Sequence, residues 1–455
     1  MLCAKCFATI RVRVGLKKAD MGDRRVVITG LGLATALGLE VEENWSKALA
    51  GVSGVSQITV PSAEESQVQA AGQVSAEDWR RICGEFRAEA ESEGERRTLF
   101  ALWAAKKTLC DAGLEKNRGD RSRFGVAIGS GLGINRLEDI CNWLGADKKF
   151  DSARFAAQLS RVDRESIIRN NSSGPASLIA ARFGLKGVNS TITTACASAT
   201  QALGTAYRAI KRGEADFLLA GGADSMINPV GLIFFVLLGS AAIMSKIEPQ
   251  GLCRPFDRKR SGLVMGEGAG MAALEEESHA LKRGARIYAE VAGYASSMDA
   301  WRLTAPHPQG QGAEIAMSRA LADSGITPDR IDYVNAHGTS TRLNDLAETV
   351  AIKKVFGQHS YQLAISSSKS LIGHLMAGSG GPEFVFTVLS VDTDKIHPTI
   401  NLSNPDPKCD LDYVPNVMRQ RVVRAAMSNS FGFGGQNATI VVRKYLPNDT
   451  HLAGG

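Results

Sequence analysis

Ser190-Thr-Ile-Thr-Thr-Ala-Cys-Ala-Ser198 is a β-branched run that stops at a cysteine and passes into the small-residue, helix-like stretch Ala199–Lys211. With the strand-like Asp216–Gly221 after it, this segment reads as strand, turn, helix, strand. The thiol of Cys196 then lies at a helix N-terminus, where the positive end of the macrodipole favours thiolate. That arrangement is the cysteine counterpart of a nucleophile elbow. A buried, inert thiol is the commoner fate of cysteine, so this stretch alone leaves both readings open.

The same rhythm extends in both directions. Upstream, Arg25–Gly30 and Phe124–Gly129 read as strands, and Glu43–Ala50 and Leu99–Ala112 as helices, with polar residues 60–95 as a surface excursion between them. Downstream, strand-like Ile287–Gly293, Ile331–Asn335, Leu363–Ser366 and Ala438–Arg443 alternate with helix-like Ala313–Ser324, Leu346–Val355 and Gly381–Val391. Strands alternating with helices imply α/β layers built on largely parallel sheets. The pattern divides near Gly284 into two similar halves, each with a reactive-looking residue after a strand: Cys196 in one, His337 in the other. The expected organisation is an extension at 1–23, halves at 24–283 and 284–446, and a tail at 447–455.

Composition narrows the class. The chain has 455 residues, 44% hydrophobic and 22% charged, which fits a globular protein with a large core. The formal charge of +6 is a mild excess, and no Arg/Lys block carries the aromatic interleaving of a nucleic-acid groove. Eight scattered cysteines form no disulfide framework and favour a reducing compartment. Cys3-Ala-Lys-Cys6 has no second pair to complete a zinc site. The basic first twenty residues are compatible with a presequence, an unstructured extension or a start upstream of Met21. Cytoplasm is therefore the expected location, with an organelle as the alternative. Ser225–Ser245 is uncharged and includes GLIFFVLLG, but Asn228, Pro229, Gly231 and Gly239 point to a segment buried in the core, not a membrane span.

Three further motifs follow in order. His337 lies in Asn335-Ala-His-Gly-Thr-Ser-Thr341, where a histidine can polarise a bound carbonyl. His374 ends Ser368-Lys-Ser-Leu-Ile-Gly-His374, with Lys369 before it and Glu383 on the helix beyond. Phe431-Gly-Phe-Gly-Gly435 is a glycine-rich approach to the last strand, without the Lys-Ser/Thr of a phosphate loop.

Taken together, TACAS, NAHGTST, KSLIGH and SFGFGG, with AGGADS (220–225) and PFDRKRSGLVMGEGAG (255–270), resemble the β-ketoacyl synthase family from about Arg24 to about Lys444. The resemblance implies a thiolase-like fold, α/β, a five-layered αβαβα sandwich of two duplicated halves, and a homodimer. It implies that Cys196 accepts an acyl chain from acyl carrier protein, and that His337 and His374 promote decarboxylation of the malonyl partner. Lys369 would organise the His374 side, with Glu383 in support and Asp345 and Glu348 behind the histidine motif. Phe433 would gate the nucleophile, and the backbone N–H groups of Cys196 and Phe433 would form an oxyanion hole.

Thr304, Thr339 and Thr341 match phosphopantetheine-contacting positions, and Leu132 and Phe235 match the walls of an acyl tunnel. Arg96, Arg97, Lys148 and Lys149 match basic positions for carrier docking. No metal and no bound cofactor are implied, since the substrates ride on the carrier's phosphopantetheine. Neither nucleic acid nor membrane is an expected partner. Departures include Gln436 where GFGGTN is commoner, Arg342 where Pro is frequent, and an unusually apolar 231–244. Thiolases and initiating synthases pair the cysteine with His-Cys or His-Asn, so two histidines favour the elongating type. A polyketide ketosynthase shares that triad. A non-catalytic chain-length partner would lack the nucleophile.

Overall fold

Strand order carries the architecture. The computed structural model describes residues 24–58, 68–92, 95–116, 119–132, 141–162, 165–243 and 247–447. The expectations for 1–23, including Cys3 and Cys6, and for most of the 447–455 tail lie outside the described residues. The first half contributes β1 (Val26–Ala34), β2 (Phe124–Ser130), β3 (Asn189–Ile192), β4 (Phe217–Ser225) and β5 (Met265–Glu276). The second contributes β6 (Ala289–Met298), β7 (Tyr333–Asn335), β8 (Ala364–Ser366), β9 (Ala425–Gly432) and β10 (Gln436–Arg443).

In space the first half runs β1-β5-β4-β2-β3 and the second β6-β10-β9-β7-β8, the same order twice. Pair directions repeat as well: β4–β2 and β2–β3 are parallel, as are β9–β7 and β7–β8. By contrast β1–β5, β5–β4, β6–β10 and β10–β9 are antiparallel. The two sheets meet in a short antiparallel seam, Val26–Ile28 against Ala289–Val291.

The helices make the layers. They are α1 (Arg96–Asp111), α2 (Gly174–Phe183), α3 (Ser198–Lys211), α4 (Pro229–Leu237), α5 (Gln311–Ser324), α6 (Arg342–Phe356) and α7 (Gly380–Thr393). α3 and α7 pack on each other and touch both sheets, so they are the central layer. α1 and α2 cover the outer face of the first sheet, and α5 with α6 that of the second. The result is the expected αβαβα sandwich. β1 and β5 are buried along their whole length, as strands covered on both faces must be.

Five points of the sequence reading need correction. The sheets are not largely parallel: the last strand of each half returns antiparallel beside the first. β5, MGEGAGMAALEE, escaped the strand reading because its glycines and acids carry weak β propensity. The described part of 60–95 is not mere surface: Ala70–Gly72 pairs with β5, and the helix Ala76–Glu85, capped by Ser75, buries Ile82 beside the neighbouring Phe86. The apolar 225–245 run is not simply buried either. Helix α4 buries Gly231, Leu232 and Phe235 but exposes Ile233, Phe234 and Leu237. Among the described residues no helix is long and apolar enough to cross a membrane. Finally, Cys196 follows β3, so its topological counterpart is the segment after β8, which carries Lys369 and His374. His337 follows β7, the counterpart of β2.

Candidate active site

Cys196 sits in the turn between β3 and α3. Ala195 before it holds φ at 50°, a left-handed conformation that costs a non-glycine residue about 1–3 kcal/mol. The surroundings fix it: Thr194 N–H donates to Ser198 Oγ at 2.8 Å, and Ser198 Oγ–H donates to Ala195 O at 2.6 Å. From the other half, Gly432 at the end of β9 comes so close that a Cβ there would lie 3.0 Å from Cys196 N. This approach lets the Phe433 N–H donate to the thiol. Burial pushes the thiol up to about 11, against the pull of Lys369 and the Phe433 N–H. The expectation of a helix-favoured thiolate therefore meets an opposing influence: Cys196 lies just ahead of the Ala197 cap of α3 and is buried, and burial favours the neutral thiol.

Both histidines are fixed as one tautomer. Lys369 Nζ lies 3.1 Å from His337 Nδ1 and pairs with buried Glu383. An ammonium has only donors, so Nδ1 accepts and the ring proton is on Nε2. His374 Nδ1 receives the Met376 N–H at 3.0 Å and lies 2.7 Å from Ser379 Oγ, so its proton is likewise on Nε2. Burial holds both imidazoles well below the usual histidine value, and Lys369 adds to the effect on each. They are neutral donors at neutral pH. The rings stand 5.3 Å apart at 86°. Cys196 Sγ and a nitrogen of each ring lie within 4.8 Å of one another. The trio has donor types that metals accept, but the ammonium beside His337 opposes a divalent cation there.

Behind this trio, Glu348 accepts the His337 and Gly338 N–H groups, each at 2.8 Å, and burial pushes it up to about 7. Asp345 accepts the Phe256 N–H at 2.9 Å and lies 3.4 Å from Arg260. Glu383 is 1% exposed, not a surface helix residue. Lys369 engages His337, so the expectation that it organises the His374 side is corrected: Ser379 and the Met376 amide do that. Ser379 was missed because one serine five residues past a histidine carries no distinctive signal.

A cavity of about 350 Å³ joins Cys196, His337, His374 and Phe433 to the surface past Thr304, Thr339 and Thr341. Leu238, Leu303 and Leu343 also line it and are exposed. Phe433 packs against an apolar cluster that includes Phe235, Leu263 and Met376. Phe235 is buried in that cluster and does not line the cavity. Leu132 is 72% exposed and does not line it either, so in the single chain neither expected tunnel wall bounds the cavity.

The docking arginines are corrected as well. Arg97 is 1% exposed, with Nη1 donating to Gly131 O at 2.7 Å. Arg96 stacks 4.2 Å over Trp79 and pairs with buried Glu267. Neither is a free rim charge. Lys148 and Lys149 are exposed, with Lys149 only 3.9 Å from Asp147.

Comparisons with known proteins agree with this geometry. The family described as β-ketoacyl synthase, N-terminal domain, matches residues 23–280, and its C-terminal domain matches 288–403. A protein of Synechocystis sp. named 3-oxoacyl-[acyl-carrier-protein] synthase 2 is 42% identical over 94% of this chain and 100% of its own. One of the same name from Coxiella burnetii is 40% identical over 93% and 99%. Among solved structures, a β-ketoacyl synthase from Burkholderia phymatum superposes with TM-score 0.81 at 33% identity, covering 93% of this chain and all of its own. A ketosynthase complexed with a type II polyketide acyl carrier protein and bound to a hexaketide gives 0.83 at 34%, with the same coverage.

Proposed function

The chain belongs to the β-ketoacyl synthase family, and from that membership we propose that it is a 3-oxoacyl-[acyl-carrier-protein] synthase of the second type, an acyltransferase that elongates fatty acyl chains. The observation that carries this reading is the convergence of one thiol and two neutral Nε2–H donors at the foot of a cavity open to the surface.

The chemistry runs in two halves. Cys196 sulfur attacks the acyl thioester, the new S–C bond forms, and the carrier thiol leaves with the proton. A thiol serves because it is both soft nucleophile and good leaving group. The malonyl thioester then loses CO₂, and the electron pair left behind forms an enolate whose oxygen accepts from His337 and His374. That carbon attacks the acyl–Cys196 carbonyl, whose oxyanion accepts from the Cys196 and Phe433 N–H groups. Collapse expels the Cys196 sulfur as thiolate, which takes one proton from solvent as the product leaves, so each cycle consumes one proton for the CO₂ released. The buried site keeps water from quenching the carbanion.

Acyl carrier protein is the proposed donor and acceptor, consistent with the neighbour solved with such a partner. Thr304, Thr339 and Thr341 along the cavity mouth suit the phosphopantetheine arm. A homodimer is proposed from β3, a strand paired on one side only among the described residues, with exposed Leu132 just past its neighbour β2. The decisive assay supplies purified acyl and malonyl carrier proteins and scans acyl length. The expected product is a 3-oxoacyl carrier protein two carbons longer with one CO₂ released. Product formed only by repeated extension would favour the polyketide reading, and no condensation would overturn both.

A further inference from the structure

The duplication places a second crossing contact opposite the first. Cys196, after β3, is met by the end of β9 from the other half. His374, after β8, is met by the end of β4, the topological counterpart of β9. The residue at that end is Asp224, 3% exposed and not used by the chemistry above. Its Oδ2 accepts the Ala377 N–H at 3.0 Å and its Oδ1 the Ser225 N–H at 2.9 Å. Ala377 follows Met376, whose φ of 47° is strained for a non-glycine residue and whose N–H sets the His374 tautomer. Gly131 and Gly378 leave the room: a Cβ on Gly131 would lie 2.6 Å from Asp224 Oδ2, and one on Gly378 2.8 Å from Asp224 N. Buried Arg97 supplies the favourable charge, while its Nη1 holds Gly131 O.

We propose that Asp224 is a positioning residue for His374: its carboxylate pins the strained Met376–Ala377 turn so that the imidazole keeps Nε2–H toward the reacting centre. This rests on reading His374 as a donor to the enolate. A purely structural carboxylate would slow both half-reactions alike, whereas a positioning one slows the malonyl half; its charge also opposes the Cys196 thiolate, so removing it does not by itself slow acylation.

The test uses full-length Asp224→Asn. An Asn carries no charge and sets an NH₂ against one of the two backbone N–H groups. Acyl labelling of Cys196 and CO₂ release from malonyl carrier protein are measured separately, with ¹⁵N signals of the His374 ring. The expected result is labelling within about threefold of wild type and decarboxylation down by about 10- to 100-fold, the scale known for partners that orient metal-bound histidines. KM for the malonyl carrier stays nearly constant, and the ring signals lose the Nε2–H pattern. Equal loss in both half-reactions, or unchanged decarboxylation, overturns the proposal. If the Asn variant does not fold, Asp224→Glu decides, since it keeps the charge and moves the carboxylate. Decarboxylation reduced at least threefold relative to labelling, with shifted ring signals, supports the proposal, and an unchanged ratio overturns it. Failure of wild type itself to decarboxylate would strike the functional reading instead.

Discussion

The two halves repeat one strand order but load their strand ends differently. After β3 the first half carries a thiol in a strained turn that leads into α3. After β8 the second half carries Lys369 and His374 on a segment bent at Gly373 and Met376 that leads into α7. After β7 comes His337, whereas the described residues that follow its counterpart β2 are Gly131-Leu132, with no titratable group. α3 and α7 pack together in the central layer, so the two loaded turns face one another. Duplication thus provides two similar cradles, one holding the Cys196 thiol and the other His374 with Lys369. Each cradle is completed by a strand end from the opposite half, and neither half forms the site alone.

The largest effect should come from emptying the first cradle. Cys196→Ala is expected to abolish acyl labelling and condensation, read by mass spectrometry of the acylated peptide. Label found on Cys110 or Cys253 instead would break the comparison. Emptying the second should divide the reaction: His374→Ala is expected to lose about 10²–10⁴-fold in malonyl decarboxylation while Cys196 still acylates. Decarboxylation near wild type would remove His374 from that role.

The same histidines set a pH dependence. Their folded values lie well below the ordinary 6.5, so on acidification the unfolded chain takes up protons first. Stability contributed by the neutral rings is present above about 6.5 and is lost as pH falls below it. Buried Glu348 and Asp224, whose carboxyls burial raises, work in the opposite sense, so the test is a difference: in thermal melts from pH 7.5 to 5 the Tm of wild type should fall relative to that of His374→Ala. Parallel curves would mean that His374 is not held neutral by the fold.

Crossing contacts can be tested sterically too. Gly432→Ala would put a methyl 3.0 Å from Cys196 N and 3.1 Å from Thr194 O. Displacing β9 from the nucleophile by a fraction of an ångström moves the Phe433 N–H off the sulfur. Misplacement of that order is expected to cost up to about 10²-fold in acylation with the fold retained. Wild-type acylation rates, measured in single turnover, would show that this close approach is dispensable.

Much of this was legible in the sequence. The nucleophile and both histidines stand in short motifs at strand ends, and the β/α rhythm gave the layers. What escaped depends on contacts between distant segments. Strand β5 hides behind glycines because its stability comes from burial between β1 and β4, not from β propensity. Lys369 sits five residues from His374 in sequence yet binds His337, because the short helix Lys369–Ile372 turns its side chain toward β7. By resemblance Arg97 reads as a docking charge beside Arg96. On α1, however, adjacent positions differ by about 100° in direction, and one arginine goes inward to Gly131 while the other crosses Trp79.

That outcome moves the carrier-docking question to the remaining basic pair, and the smallest effect is expected there. Lys148 and Lys149 are exposed, with Asp147 3.9 Å from Lys149. An acidic carrier would feel them as rim charges, which tune association rate more than chemistry. Surface charges at this distance are screened within about 8–10 Å at ordinary salt, so the contribution should shrink as salt rises. Reversing both to Glu is expected to raise KM for acyl carrier protein about two- to fivefold at low salt, with the difference closing above about 0.3 M. Turnover of a short pantetheine thioester, which reaches Cys196 through the Thr304–Thr341 mouth without a carrier, should not change. Equal losses on both substrates would mean that the pair supports the loop it sits on. An unchanged KM on the carrier would place docking on the cavity rim, where Arg342 and the exposed Leu303 and Leu343 surround the opening.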